Sequence, residues 1–432
     1  MKNTNLPLQN VAVVGLGKIG LPLAATFANN GFNVYGADVN ERVVSTVNQG
    51  KSHVKNEPGL EQLVENAYRN HTITATQDTT EAVQKSDIVI VIVPVLIDSQ
   101  NKVDYRYIDM AVENIAKGIK KGTLVVFETT IPTGDTRNRF GKKIEEISGL
   151  TMGEDFYLAY SPERVYSNRI IEDLSKYPKV VGGLNKKSLE LASAFYQKAL
   201  NCQLIEVSSL ETAGFSKVAE CVYRDVNIAL ANELAKYADS LGVKMSEVIP
   251  ASNSQPFSHI HYPGIGVGGH CIPIYPYFFI NRGLTEGVTP LAREVNDSMA
   301  DYSLSKIEKE IGSLNEKNVV ILGLAFRENV KETTKSSALL LIEQLKEKKA
   351  NIFINDPLFS ENEISSFGVT PLSLDDSELA NMDVVILQAN HDQYNHLHFP
   401  DFRNCKILLD GRNALNKELV EKAGIKYVGI GN

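Results

Sequence analysis

The segment His261-Tyr262-Pro263-Gly264-Ile265-Gly266-Val267-Gly268-Gly269-His270-Cys271 is too rich in glycine for the interior of a strand or helix, and it ends on a thiol. A loop of that composition brings backbone close to a bound molecule. A lone cysteine is ordinarily a small buried hydrophobe, and Cys202 and Cys405 are read that way. Cys271 is set apart by its loop. A thiolate beside a cation adds to an aldehyde, loss of hydride from the thiohemiacetal gives a thioester, and water hydrolyses the thioester to an acid. Paired with one nicotinamide site, such a centre takes an alcohol to an acid in two successive hydride transfers. His259, His261 and His270 flank the loop, but no carboxylate or cysteine set gives metal-ligand spacing, so no metal is expected. The histidines are read as substrate or subunit contacts.

A second constellation lies near the N-terminus. Gly15-Leu16-Gly17-Lys18-Ile19-Gly20 follows the apolar run Val11–Val14 and opens a helix-like stretch containing Leu23, Ala24, Ala25 and Phe27. Glycines there let backbone approach a pyrophosphate, and the helix start offers it unpaired N–H groups. The motif gains weight from Asp38, which ends the next strand and can accept from an adenosine ribose 2′-hydroxyl. A carboxylate there repels a 2′-phosphate, so NAD is expected rather than NADP. The competing reading is a tight strand-to-helix turn with no ligand.

The elements that must position these groups alternate along the chain. Strands are expected at Val11–Val14, Asn33–Ala37, Asp87–Pro94, Thr123–Glu128 and Tyr157–Ala159, separated by helical segments, which implies a parallel sheet covered on both faces. A long helix is expected from Thr212 to Ser240, stopping at Gly242. After the Pro- and Gly-rich stretch from Pro250 to Pro276, strands at Asn318–Ala325, Asn351–Asn355, Asp383–Gln388 and Lys406–Leu409 make a second α/β pattern. A ligand cleft between the two sheets follows from that layout. The length of 432 residues suits two or three packed units, and 43% hydrophobic with 22% charged residues suits a folded chain throughout. A net charge of −8 argues against nucleic acid as a partner. The polar N-terminus, Met1 to Asn10, has no apolar span, so neither membrane insertion nor secretion is expected and the protein is placed in the cytoplasm, where its four cysteines stay reduced.

With Thr129-Thr130-Ile131-Pro132, Ser161-Pro162-Glu163-Arg164-Val165 and Gly323-Leu324-Ala325-Phe326-Arg327 added in order, the chain resembles the nucleotide-sugar 6-dehydrogenases of the UDP-glucose and UDP-N-acetylhexosamine dehydrogenase family over nearly its whole length. The resemblance implies an α/β fold of two Rossmann-like doubly wound domains joined by a long central helix. These are an NAD-binding domain over 1–207, a central helical dimerisation region over 208–312 that carries the cysteine loop, and a UDP-sugar domain over 313–432. It implies a homodimer, NAD as cofactor and a UDP-sugar as substrate. Cys271 then forms the thioester, Lys217 stabilises oxyanions or moves protons, and Thr130 and Glu163 order the catalytic water and assist hydrolysis. Gly15, Gly17, Lys18, Ile19, Gly20, Asp38, Arg42, Pro94 and Thr130 are expected at the cofactor. Glu163, Arg164, Lys217, Arg224, His259, His261, Tyr262, Gly264, Gly268 and Arg327 are expected at the sugar nucleotide, Arg327 holding the UDP part.

The residues themselves leave alternatives open. Lys217 can be a solvated helix lysine, Glu163 a surface carboxylate or partner of Arg164, and Thr130 a cap for the helix after Pro132. Arg224 lies seven residues after Lys217, on the same helix face, where it can reach an acetamido carbonyl or a phosphate, or be an ordinary surface arginine. Ser161–Val165, Tyr223–Asn227 and His261–Gly264 resemble the N-acetylhexosamine branch more than the UDP-glucose branch, leaving N-acetylglucosamine, N-acetylmannosamine and N-acetylgalactosamine open. Four positions depart from the family pattern: Cys221 for asparagine, Tyr275 for aspartate, Phe257 for an arginine supplied across the dimer and Thr334 for an arginine at the cofactor. The first two stand near the attacking water, which makes thioester hydrolysis the step they would slow, and a Cys221–Cys271 disulfide is a further reading. Oxidation of a UDP-N-acetylhexosamine at C6 to the uronate, for polysaccharide or glycan precursors, is therefore expected. The same reaction on UDP-glucose and a stalled or non-catalytic NAD and UDP-sugar binder are the alternatives.

Overall fold

In a computed structural model, which describes residues 9–375 and 377–432, the chain divides into two compact units, Met1–Glu220 and Cys221–Asn432. The division falls inside one helix, Leu210–Leu241. The polar run read at the N-terminus lies, for residues 1–8, outside the described residues.

In the first unit, eight strands form one sheet: β1 Asn10–Val14, β2 Asn33–Ala37, β3 Ile73–Thr76, β4 Ile88–Val91, β5 Leu124–Phe127, β6 Tyr157–Tyr160, β7 Lys179–Gly183 and β8 Leu204–Val207. Their order is β8-β7-β6-β5-β4-β1-β2-β3. Ile88–Val91 and Leu124–Phe127 are apolar at every position and wholly buried, as strands covered on both faces must be. The strand order reverses between β1 and β4, which places a ligand crevice at their carboxyl ends. The sheet departs from the expected all-parallel pattern at one place among the described residues: β7 runs antiparallel to β6. This return brings the first residue of β7, Lys179, to the edge where the parallel strands end. Strands β3, β7 and β8 had no clear sequence signal. Ile73–Thr76 is four residues long, and the edge strand β8 carries exposed Ile205 and Glu206.

The second unit has a six-stranded parallel sheet: β9 Asn318–Leu322, β10 Asn351–Asn355, β11 Thr370–Pro371, β12 Val384–Leu387, β13 Ile407–Asp410 and β14 Lys426–Gly429, in the order β11-β10-β9-β12-β13-β14. Both units are therefore doubly wound. The first core gathers Val11, Val13, Leu21, Phe27, Phe195 and Tyr196; the second gathers Ile265, Met299, Leu304, Ile321, Leu341 and Ile386. The expected strand ends move inward by a few residues, since Val93, Pro94 and Ala325 already lie in the segments that follow the strands.

Candidate active site

The first unit collects its predicted residues along the carboxyl ends of the strands. Gly15 takes φ +97°, its N–H donates to the Ala37 carbonyl at 2.8 Å, and a Cβ on it would stand 3.1 Å from the Ile92 carbonyl oxygen. A Cβ on Gly20 would lie 1.8 Å from the Gly15 carbonyl oxygen, so the helix Gly20–Asn29 can start this close to β1 only with glycine there. Gly17 is different: nothing lies within 4 Å of the place its Cβ would take, and it is exposed. The space over Gly17, next to a ten-residue helix that begins at Gly20, is what a pyrophosphate needs, so these residues fit NAD. Asp38 accepts the Leu16 N–H at 2.9 Å on one oxygen and the Asn40 N–H at 2.9 Å on the other, and it stays partly exposed. Lys18 and Ile19 lie in the turn, while Arg42 and Pro94 are exposed, after the ends of β2 and β4.

Thr130 is buried in the loop after β5, whose preceding carbonyl, that of Thr129, accepts from the Tyr160 hydroxyl at 3.0 Å. It does not cap the following helix, whose N-cap is Asp135. Glu163 is neither a surface carboxylate nor a partner of the Arg164 guanidinium, which donates instead to the Pro178 carbonyl. One Glu163 oxygen accepts the Arg164 backbone N–H at 2.7 Å and the other meets Lys179 Nζ at 2.6 Å. The same ammonium reaches the Glu128 carboxylate at 2.7 Å, and the Tyr196 hydroxyl donates to the second Glu128 oxygen at 2.6 Å. Burial pushes the Glu128 carboxyl up to about 7 against the pull of Lys179. Burial acts on Glu163 in the same sense, but Lys179 and the Arg164 N–H outweigh it and hold the carboxyl below its usual value. Lys179 is raised, since its two carboxylates outweigh the burial that would lower it. Lys217 is buried on the long helix, 3.8 Å from Glu220, and is no solvated lysine.

In the second unit the cysteine loop is pinned to its own protein. A Cβ on Gly268 would lie 2.6 Å from Phe326 Cβ, one on Gly269 3.0 Å from the Phe326 ring, and one on Gly264 3.1 Å from the Gly411 carbonyl oxygen. Gly268 and Gly269 are thus required by packing against the turn that follows β9, and Gly264 by its approach to the turn that follows β13, a reason the composition alone did not disclose. Beneath the loop runs a buried polar chain. The Gly264 N–H donates to Asn232, Asn232 donates to Asn296, and Asn296 donates to Asp225, which also pairs with Arg293 at 2.9 Å. Burial pushes the Asp225 carboxyl up to about 6 despite Arg293. Cys271 is partly exposed, and its carbonyl accepts the N–H groups of Ile274 and Tyr275 at 3.2 and 2.9 Å, opening the turn into the helix Pro276–Ile280.

His270, beside it, meets a Glu332 carboxylate oxygen through Nδ1 at 2.9 Å, and Glu332 also accepts from the Thr334 hydroxyl at 2.8 Å. His261 is lowered by its burial and then by the charge of Arg224, so these two expected substrate residues are neighbours. Arg327 is half-buried in the turn after β9; His259, Tyr262 and Phe257 are exposed. None of the four cysteines is in a disulfide, Cys221 and Cys271 included; Cys221 is buried, as are Cys202 and Cys405, with Cys405 pushed up to about 12 by burial. Among the described residues no group of histidine, cysteine and carboxylate side chains can hold a metal ion, and no helix is long and apolar enough to cross a membrane.

Residues 9–200, 211–298 and 320–417 match the NAD binding, central and UDP binding domains of the UDP-glucose/GDP-mannose dehydrogenase family. The chain belongs to this family. It is an NAD-dependent dehydrogenase of UDP-sugars. It is 35% identical to a UDP-N-acetyl-D-mannosamine dehydrogenase of Methanococcus maripaludis, over 100% of this chain and 99% of that one. Its fold is similar to that of a UDP-D-ManNAc dehydrogenase from Pyrococcus horikoshii, with 30% identity, a TM-score of 0.86 and 98% and 99% of the two chains covered. A UDP-glucose dehydrogenase from Pyrobaculum islandicum is similar at 26% identity and a TM-score of 0.87, covering 100% and 99%.

In this sugar-nucleotide dehydrogenase, sequence reasoning missed Glu128, Lys179 and Tyr196 beside Glu163, Glu332 beside His270, and the half-buried Arg412, whose guanidinium reaches the carbonyls of Gln388 and Phe326. Only Glu128 had a signal, ending the strand that leads into Thr129-Thr130. The others come from 16 to 86 residues away and carry no local pattern.

Proposed function

We propose that the enzyme oxidises C6 of UDP-N-acetyl-D-mannosamine to the uronate, with Cys271 as the covalent catalyst. The observation that carries the mechanism is the partly exposed Cys271 thiol, placed by a glycine loop at the start of a helical turn while the other three thiols are buried. The choice of sugar rests on relatives named as UDP-N-acetyl-D-mannosamine dehydrogenases at 30 to 35% identity over nearly full length. Bound NAD supplies the hydride acceptor for each of the two oxidations. Gly15, Gly17 and Gly20 leave its pyrophosphate room, with Lys18, Ile19, Arg42 and Pro94 around it and Asp38 on its ribose. Arg164, Arg224, His259, His261, Tyr262, Gly264, Gly268 and Arg327 are assigned to the sugar nucleotide.

Cys271 forms its S–C bond to the C6 aldehyde, and the second oxidation leaves a thioester. Glu163, with Thr130, orients water and takes one of its protons as the oxygen bonds to the thioester carbon; the Cys271 thiolate then leaves. Lys217, buried and cationic, stabilises the oxyanion of each addition.

The long helix also carries Tyr223, Leu230 and Tyr237, exposed and seven residues apart, an apolar stripe suited to a second copy of the helix. The enzyme is accordingly assigned as a homodimer through the region 208–312.

The test is NADH released per UDP-sugar consumed, with mass spectrometry of the product, for the N-acetylmannosamine, N-acetylglucosamine, N-acetylgalactosamine and glucose forms. Two NADH and a uronate are expected from UDP-N-acetylmannosamine, and Cys271→Ser abolishes uronate while NAD binding stays. One NADH with an aldehyde, or a persistent thioester, would mean that Cys221 and Tyr275 stop the reaction midway, and an unchanged rate for Cys271→Ser removes the covalent mechanism.

A further inference from the structure

We propose that Lys179, clamped between Glu128 and Glu163, is the positioning residue that aims and charges the Glu163 carboxylate, and that Glu128 stores a proton for the same cluster. The proposal rests on the reading of Glu163 as the base of thioester hydrolysis.

The geometry comes from the antiparallel pairing of β6 with β7. With Ala159 opposite Gly183 and Tyr160 opposite Gly182, continuing the register sets Glu163 opposite Lys179, and the Ser161 hydroxyl fixes the approach by donating to the Val180 carbonyl at 2.7 Å. Glu128, at the end of β5, closes the cluster from the other side, and the Glu163 N–H donates to its carbonyl at 3.3 Å. Side-chain exposure is 0% for Glu128, 5% for Lys179 and 12% for Glu163, so the carboxylate nearest solvent is the one the mechanism uses.

Two carboxylates share one ammonium. With both ionised, one negative charge is uncompensated in a buried place, a costly state that a single proton on the pair relieves. That proton belongs on Glu128, which is deeper and lacks the extra backbone N–H that Glu163 accepts from Arg164. The groups facing Glu128 are Lys179 from β7, Glu163 from the loop after β6 and Tyr196 from the helix Lys186–Leu200; the Cys202 thiol lies against the Lys179 backbone. Below neutral pH the cluster is a protonated Glu128 beside a Lys179–Glu163 ion pair. Above it Glu128 ionises and competes for the ammonium, so Glu163 becomes the stronger base. When water gives its proton to Glu163, Lys179 keeps an anionic partner in Glu128. Hydrolysis therefore speeds up as pH rises through the titration of Glu128.

A purely structural ion pair would change melting temperature and leave the pH profile in place. The experiment follows NADH by stopped flow with the full-length enzyme, saturating NAD and UDP-N-acetylmannosamine, across neutral pH. Lys179→Met is expected to keep the rapid release of NADH that precedes hydrolysis and to slow steady-state turnover roughly 100-fold, with partial recovery in Lys179→Arg. Glu128→Gln is expected to flatten the rise near neutrality, and Tyr196→Phe, which removes a donor to the Glu128 carboxylate, to move that rise to higher pH. Should Lys179→Met fail to fold, Glu128→Gln and Tyr196→Phe decide alone, and an unchanged pH profile in both overturns the proposal. Equal loss of the rapid and steady phases in folded Lys179→Met overturns it as well. Glu163→Gln separates the two readings: if it turns over like wild type, the base assignment and this proposal both fall. If it stalls after the rapid phase while the Lys179 and Glu128 variants behave like wild type, only the proposal falls.

Discussion

The turn after β1 and the turn after β9 begin as near copies. Gly15 and Gly323 take φ +97° and +98°, and each donates its N–H to the last residue of the neighbouring strand, Ala37 or Asn355, at 2.8 Å. In each, the N–H of the next leucine meets a carboxylate one residue further on, Leu16 with Asp38 and Leu324 with Asp356. They part at the following position. Gly17 is exposed with open space above it, whereas Ala325 is fully buried and Asp356 also accepts its N–H, at 2.9 Å, and faces His391 at 3.1 Å. The helix begins at Gly20 after the first turn but only at Ser337 after the second. One backbone device thus leaves open space that fits a pyrophosphate where carboxylate and helix start remain available, and closes into an internal clasp where both are withdrawn.

Removing the clasp should have the largest effect. Asp356→Ala leaves three N–H groups, those of Leu324, Ala325 and Leu358, and His391 without their acceptor, and a loss of about 3 kcal/mol is expected in thermal or denaturant unfolding. A stability change as small as that of a surface mutation would mean the two carboxylates are equivalent after all. The pH dependence sharpens this. Burial would raise the Asp356 carboxyl, but His391 and the backbone N–H groups outweigh it and leave it lowered. A carboxyl lower in the folded than in the unfolded chain stabilises above its unfolded value, and that stabilisation disappears as pH falls through the folded one. Acid titration of unfolding should therefore show a component in the wild type that is missing in Asp356→Asn.

Next in size, Gly17→Val should weaken NAD about tenfold or more, roughly 1.4 kcal/mol, by filling the cradle while the melting temperature of the free enzyme hardly moves. Equal loss of stability and affinity would show that the space over Gly17 is needed by the fold. The smallest change is expected from Asp38→Asn. It keeps one acceptor oxygen, for the N–H of Leu16 or of Asn40, and loses the charge, so the ratio of NAD to NADP affinity should fall by a few-fold to tenfold, measured by calorimetric titration. An unchanged ratio would detach Asp38 from the ribose.

What the sequence by itself determined was local. Gly15, Gly17, Gly20 and Asp38 define a strand, turn and next strand within some two dozen residues, and the runs Val11–Val14 and Val384–Leu387 are apolar enough to demand burial on both faces. The same holds for the thiol at the end of the glycine loop and for the order of motifs that carried the family resemblance. The tertiary structure decided which distant groups meet. Lys179 comes to Glu163 because one strand returns antiparallel, a choice no composition of Lys179–Gly183 announces. Glu332 comes to His270, and Phe326 to Gly268 and Gly269, because the turn after β9 lies under the cysteine loop. Side-chain pairing across such separations is set by strand order and packing, and a linear pattern reports only the periodicity each segment needs for its own burial.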